Sequence, residues 1–455
     1  MKFVIKSKNV LINNELRESA VLIQDGIIFD VFEYDFDFTF DSGISDIFDY
    51  GELIIMPSII DTHVHINEPG RTDWEGFESA TKAAAAGGIT MLVDMPLNSS
   101  PVTTTLDSLN QKINSSENKL FVDVGLYGGM IPGNLKELKF LIHKGVFGLK
   151  AFMINSGIDE FPFVNEIDIR KVFKHLEPLS GIKEIPFLFH AEVISDIIKP
   201  NNYSGYSFKS FLETRPDVME TKAVELLIKL CREFRFRIHI VHLSSSESID
   251  LIKAAKKEGL PLTTETCPHY LYFSSDEIPD NDTRFKCTPP IRNNINKELL
   301  WEAVKDGTIN FIVSDHSPCN PELKCMEEGN FEKAWGGISG LQFGLSVIWT
   351  EALKRNISIA KVSELMSKNT AEFIGLGNRK GKIQKGFDAD IIIFNPDKKF
   401  IVKEENIFHK HKITPYSGKE LTGVVETTFL RGEKVFDNGK IVSGPLGKLL
   451  LKQVN

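Results

Sequence analysis

Between residues 57 and 315 the chain repeats one rhythm, a short apolar β-rich run, a loop and a helical stretch, and this repetition limits the folds open to it. Candidate strands are Ile59–His63, Ile89–Met95, Phe121–Tyr127, Phe147–Phe152, Pro186–His190, Arg237–Leu243, Pro261–Glu265 and Asn310–Asp315. Helical patterns fill the gaps. Phe77–Ala86 is an alanine run stopped by Gly87-Gly88, Gly133–Lys144 repeats leucine at helical spacing, Asp217–Phe234 follows Pro216, and Ser246–Glu258 ends at Gly259. Eight βα units imply an α/β chain closed into a (β/α)₈, TIM-like barrel. An open doubly wound sheet is the alternative, but no Gly-x-Gly-x-x-Gly follows any of the strands.

The ends read differently. Lys2–Ile5, Leu16–Gln24 and Ile27–Tyr34 alternate like half-buried strands, as do Ile391–Phe394, Thr427–Arg431 and Glu433–Phe436 near the other end. Neither piece holds enough apolar surface to stand alone, so the two are expected to join in one small β-domain. The domains are then 1–55 and 376–455 for the β-domain and 56–375 for the barrel. Apart from the βα units there is no repeat, and no low-complexity linker.

A 455-residue chain with 42% apolar and 25% charged residues can bury a large core. Its net charge of −9 and lack of a basic block argue against nucleic acid or an anionic membrane as partner. No apolar run is long enough to span a bilayer, and the first residues lack a signal-peptide core. Five cysteines without a paired framework suggest a reduced, cytoplasmic protein.

His63 and His65 end the first barrel strand with i, i+2 spacing, which aims both imidazoles the same way and makes half of a metal site. In a barrel, partners must come from the C-terminal ends of other strands. His190, His242 and Asp315 meet that condition. His239, three residues before His242, is expected to face the helices and to be structural. His143, His175, His409 and His411 are expected at the surface. His269 and His316 are ambiguous and stay outside the ligand set. Lys150 also ends a strand inside the ring, where an ammonium beside cations is strongly unfavourable. Either it points away or its charge has been altered.

With these residues the chain resembles the amidohydrolase superfamily, and within it the hydrolases of cyclic amides that act on allantoin, dihydroorotate or hydantoins. The likeness runs from the Pro57 region through Gly386-Phe387-Asp388-Ala389-Asp390. It implies that Lys150 is carboxylated by CO₂ (N6-carboxylysine), turning a cation into a bridging anion. His63, His65, Lys150 and Asp315 would then hold one divalent ion and Lys150, His190 and His242 another. Zinc suits this ligand set best, with manganese, cobalt or iron also compatible.

Several segments resemble the allantoin-hydrolysing branch: His65 to Phe77, Asp94-Met95-Pro96-Leu97-Asn98-Ser99, Gly157 to Pro162, Ser314 to Cys319, Trp335 to Gln342, and Lys412 to Tyr416. Dihydroorotate hydrolases carry an arginine two residues after the second histidine, and hydantoin hydrolases tend to carry aspartate. Here the residue is Asn67, although Arg71 is nearby. Thr288 departs from the smaller residue common in the branch. The resemblance implies hydrolysis of the allantoin ring amide, with Asp315 as the proton carrier and a homotetrameric assembly. Dihydroorotate or another hydantoin is the alternative substrate, and a non-catalytic scaffold is a remote reading. Asn67, Asn155, Cys287, Thr288, Ser317 and Trp335 are candidates for touching the substrate. Ordinary roles suit them equally: a capping asparagine, a buried cysteine or a core tryptophan.

Overall fold

The structure, a computed structural model, describes residues 1–39, 41, 43–194 and 203–452. All eight expected barrel strands form, most with trimmed ends, and neighbouring strands run parallel. One arc comprises Ile59–Val64, Ile89–Asp94 and Asp123–Leu126. The other runs from Gly128–Gly129 through Leu149–Phe152, Phe187–His190, Ile238–Ile240 and Leu262–Thr266 to Phe311–Ile312. A parallel bridge between Val64 and His316 closes the ring, and the His65 amide donates to the His316 carbonyl at 2.8 Å.

Side-chain alternation sorts the barrel into two layers. Ile60, Met91, Val93, Phe147, Leu188 and Phe311 fill the interior, while Leu92, Leu149, Phe187, Ile238, Ile240 and Leu262 pack outward against the helices. Local signals set the helix limits. Asn165 caps Glu166–Leu176 by accepting from the Ile167 and Asp168 amides. The expected helix 133–144 is confined to Leu138–Lys144, because Gly133 takes φ +92 and turns the chain before the first helical residue.

The two ends of the chain do share one sheet. Lys2–Ile12 pairs with Glu15–Gln24, which pairs with Ile27–Glu33, while Ile54–Pro57 lies parallel to the first strand and antiparallel to Ile391–Ile401. Glu420–Leu430, Glu433–Asp437 and Lys440–Ile441 complete it. The sheet rests on the helix Phe77–Ala86, whose alanines allow close approach, and Thr428 donates to the Ala85 carbonyl at 2.7 Å. A buried charge cluster fastens sheet to barrel. Lys380 meets Asp123, Asp388 and Asp390, and Arg431 grips both oxygens of Asp123 at 2.7 Å. Burial opposes the charge on Lys380, but the three carboxylates outweigh it and hold its ammonium pKa above the ordinary value. Among the described residues no helix is long and apolar enough to cross a membrane.

Candidate metal centre

Strand ends deliver the titratable residues to one mouth of the barrel. A carboxylate oxygen of Asp315 lies 3.1 Å from Nε2 of His63 and 3.4 Å from Nε2 of His65. Across the mouth, Nδ1 of His190 stands 3.0 Å from Nε2 of His242, and the His63 and His242 rings have centroids 5.4 Å apart. Lys150 reaches up from the fourth strand. Its side chain is 1% exposed and its Nζ has no hydrogen-bond partner among the described residues. Burial is the main reason its pKa falls to about 7, against the pull of Glu265 and Asp315.

Burial also depresses the pKa values of His63, His190 and His242, so these imidazoles are neutral with lone pairs free to bind a cation. Neutral imidazoles gathered beside a carboxylate and a buried amine are a donor set that divalent ions accept. These residues suit divalent ions.

Two of the residues at this mouth carry backbone strain. His242 has φ +39 and Asp315 φ +45, left-handed values that cost non-glycine residues about 1–3 kcal/mol each. The twist at His242 explains why the expectation for His239 fails. The strand proper ends at Ile240, alternation breaks there, and both histidines turn inward. His239 lies inside the barrel, stacked on Phe311, with Nε2 2.9 Å from Glu265 Oε2.

Glu265 is the residue that sequence reasoning overlooked. Its other oxygen lies 2.5 Å from Nδ1 of His63, so one buried carboxylate orients two imidazoles. Burial pushes its pKa well up, a tendency that Lys150 opposes. Glu192 does the same for His190 Nε2 at 2.6 Å and is itself paired with Arg215 at 2.6 Å. Although burial resists it, Arg215 and His190 bring the Glu192 pKa down to about 2. The amide of Asn98 stands 3.2 Å from Nδ1 of His65. Glu265 as the one charged residue of the buried strand Leu262–Thr266 and Glu192 two residues past His190 were the available signals.

Of the ambiguous histidines, His316 is buried with Nε2 3.3 Å from Glu75, and burial brings the His269 pKa down to about 4. His409 is not at the surface. It is fully buried beside His316, ring centroids 5.4 Å apart, because Lys410 donates its amide to Glu75 and draws the tail over the barrel.

A cleft of about 440 Å³ is lined by Asn155, Arg215, Thr288 and Trp335 among others. The histidines do not line it, and Arg215 connects it to His190 through Glu192. Asn155 is exposed and accepts from the Gly157 amide. Trp335 meets Trp74 edge-on at 4.8 Å, and its indole nitrogen has no partner among the described residues. Asn67 is fully buried, donates to the Pro318 carbonyl at 3.1 Å and, among the described residues, leaves Oδ1 unpartnered. Ser317 lies under Gly337, where a Cβ would stand 2.3 Å from the Ser317 carbonyl oxygen. Cys287 is buried behind the wall, which brings its thiol pKa up to about 12. Arg71 is bound to Glu160 at 3.0 Å and to the carbonyls of Asn98 and Ser99.

The chain matches the description "Amidohydrolase family" over residues 54–442. It belongs to the amidohydrolase family. Among curated relatives of this amidohydrolase, "Probable allantoinase 2" of Dictyostelium discoideum is 45% identical over 99% of this chain and 93% of its own length. "Allantoinase" of Streptomyces avermitilis is 42% identical over 100% and 99%. In three dimensions the amidohydrolase is similar to "L-Hydantoinase (Dihydropyrimidinase) from Arthrobacter aurescens", with a TM-score of 0.91, 28% identity and coverage of 99% and 100%. Family membership implies divalent metal ions at the strand ends.

Proposed function

We propose that this amidohydrolase hydrolyses a ring amide of allantoin and releases allantoate. The observation that carries this reading is the buried, unpartnered Lys150 ringed by four histidines and Asp315, opening toward a mouth whose nearby arginines are both committed elsewhere. Arg71 holds Glu160 and Arg215 holds Glu192. A carboxylate-bearing ring would lack a free guanidinium, whereas a neutral ring with a ureido arm needs only hydrogen bonds. Relatives named as allantoinases support the same substrate.

Lys150 would enter as a carbamate: its neutral Nζ attacks CO₂, a C–N bond forms and one proton leaves. His63, His65, the modified Lys150 and Asp315 would hold one ion, and Lys150, His190 and His242 the other, with Zn²⁺ the ion that suits these donors best. When bound, the ions supply Lewis acidity to the ring carbonyl and acidify a water near neutrality. Asp315 takes the proton of the attacking water on its carboxylate and returns it to the departing ring nitrogen. Asn67, Asn155, Ser317 and the backbone near Thr288 would pair with the polar edges of the substrate. Trp335 and, behind it, Cys287 shape the wall. The enzyme is proposed to work in the cytoplasm as a homotetramer, which light scattering of the purified protein would test.

The deciding assay is turnover of zinc- and bicarbonate-reconstituted enzyme on allantoin, dihydroorotate and hydantoin in parallel. Allantoin should dominate. A preference for dihydroorotate would reject the neutral-substrate pocket while leaving the metal centre in place.

A further inference from the structure

A second group of metal-competent side chains stands beside the histidine cluster. Ligand atoms of Cys267, His269 and Asp315 lie within 4.8 Å of one another, and all three residues are buried. Cys267 directly follows the strand Leu262–Thr266, and His269 sits in the short helix Pro268–Tyr272. The seventh strand end therefore presents a thiol and an imidazole to the carboxylate that closes the eighth. Nε2 of His269 is fully buried and has no hydrogen-bond partner among the described residues.

We infer that Cys267, His269 and Asp315 form an additional, inhibitory cation position for a borderline-soft divalent ion such as Zn²⁺ in excess or Cd²⁺. Thiol, imidazole and carboxylate are the donors such ions select. Usual zinc bond lengths in a tetrahedron place ligand atoms roughly 3.2–3.7 Å apart, so small side-chain rotations complete the site. Binding forms a metal–sulfur bond and releases the Sγ proton to solvent. Asp315 has two oxygens, so it can be drawn toward this position while the histidine pairs keep their own ions. The loss of turnover rests on the proton-carrying role proposed for Asp315. The binding itself does not.

The test uses zinc-loaded holoenzyme carrying Cys325→Ser, since Cys325 is the one cysteine that is not buried. Cadmium chloride is titrated in while the ultraviolet thiolate-to-metal charge-transfer band, bound metal content and allantoin turnover are followed. The band should saturate at one equivalent beyond the resident zinc, with activity falling in step. Adding Cys267→Ser should remove the band and the inhibition yet keep basal turnover. His269→Gln, which retains the thiol, should require at least tenfold more cadmium. No band in the parent, or an undiminished band in Cys267→Ser, would overturn the site. A band that saturates while turnover stays unchanged would keep the site and refute the role given to Asp315.

Discussion

Replacing Glu265 by glutamine separates holding the fold from holding the metal. The carboxylate lies 2.5 Å from His63 Nδ1 and 2.9 Å from His239 Nε2. For His63 to offer Nε2 toward the centre, Nδ1 must carry the proton and donate to Glu265. A glutamine can still accept that bond on its oxygen. Its amide nitrogen then faces His239, which adapts by switching tautomer: Nε2 accepts, and Nδ1 donates to Thr263 Oγ1, 2.8 Å away. Every polar atom stays satisfied, so thermal stability should barely change. What disappears is the negative charge that makes His63 more basic and favours cations. A hydrogen bond to a charged group is worth about 1.5–3 kcal/mol, and losing such a partner of a ligating histidine weakens metal binding about 10–100-fold. Chelator-competition zinc titrations of wild type and Glu265→Gln measure this directly, with turnover restored by excess zinc as a second readout. Affinity within threefold of wild type would refute the reasoning, and so would a large fall in Tm.

Three further outcomes are expected. Because Lys150 has its pKa brought down to about 7 by burial, it is an ammonium below that pH and a nucleophilic amine above it. Bicarbonate-dependent reactivation of metal-stripped enzyme should therefore climb through pH 7 and level off near pH 8; a climb continuing toward pH 10 would show an unperturbed lysine. Asp315→Asn should lose nearly all turnover while circular dichroism stays unchanged, and retained activity would reject its proton role. Lys380→Met leaves the carboxylates of Asp388 and Asp390 without their shared cation and should cost about 3–5 kcal/mol. It should be read as a lowered denaturation midpoint, and an unaltered midpoint would show the cluster to be incidental.

Alternation and turn chemistry carried the architecture far, because barrel strands are short apolar runs whose ends are marked by polar residues. The same logic located His63, His65, His190, His242, Lys150 and Asp315, which the structure gathers at one mouth. It failed where the backbone leaves regular geometry. His242 and Asp315 sit in left-handed conformations that no propensity signals, and this is how His239 came to be expected on the wrong side. His409 lies in a polar stretch, Phe408-His409-Lys410-His411-Lys412, whose burial depends on Glu75 more than three hundred residues earlier in the chain. Glu265 was passed over for a related reason: its significance lies in what stands across the barrel.

The sheet that joins both ends of the chain also sets an order of events during synthesis. Ile54–Pro57 is complete only when Ile391–Ile401 lies against it. At ordinary translation speeds the ribosome delivers the second strand roughly 15–70 s after the first. Until then the nascent chain carries an open edge of Ile54, Ile55 and Met56, apolar and unpaired, of the kind that recruits strands from other chains. Non-local closure of this sort slows folding. Yield in the cell should thus depend on chaperone capacity during that interval, and messages truncated before codon 391 should give aggregates in place of free barrels.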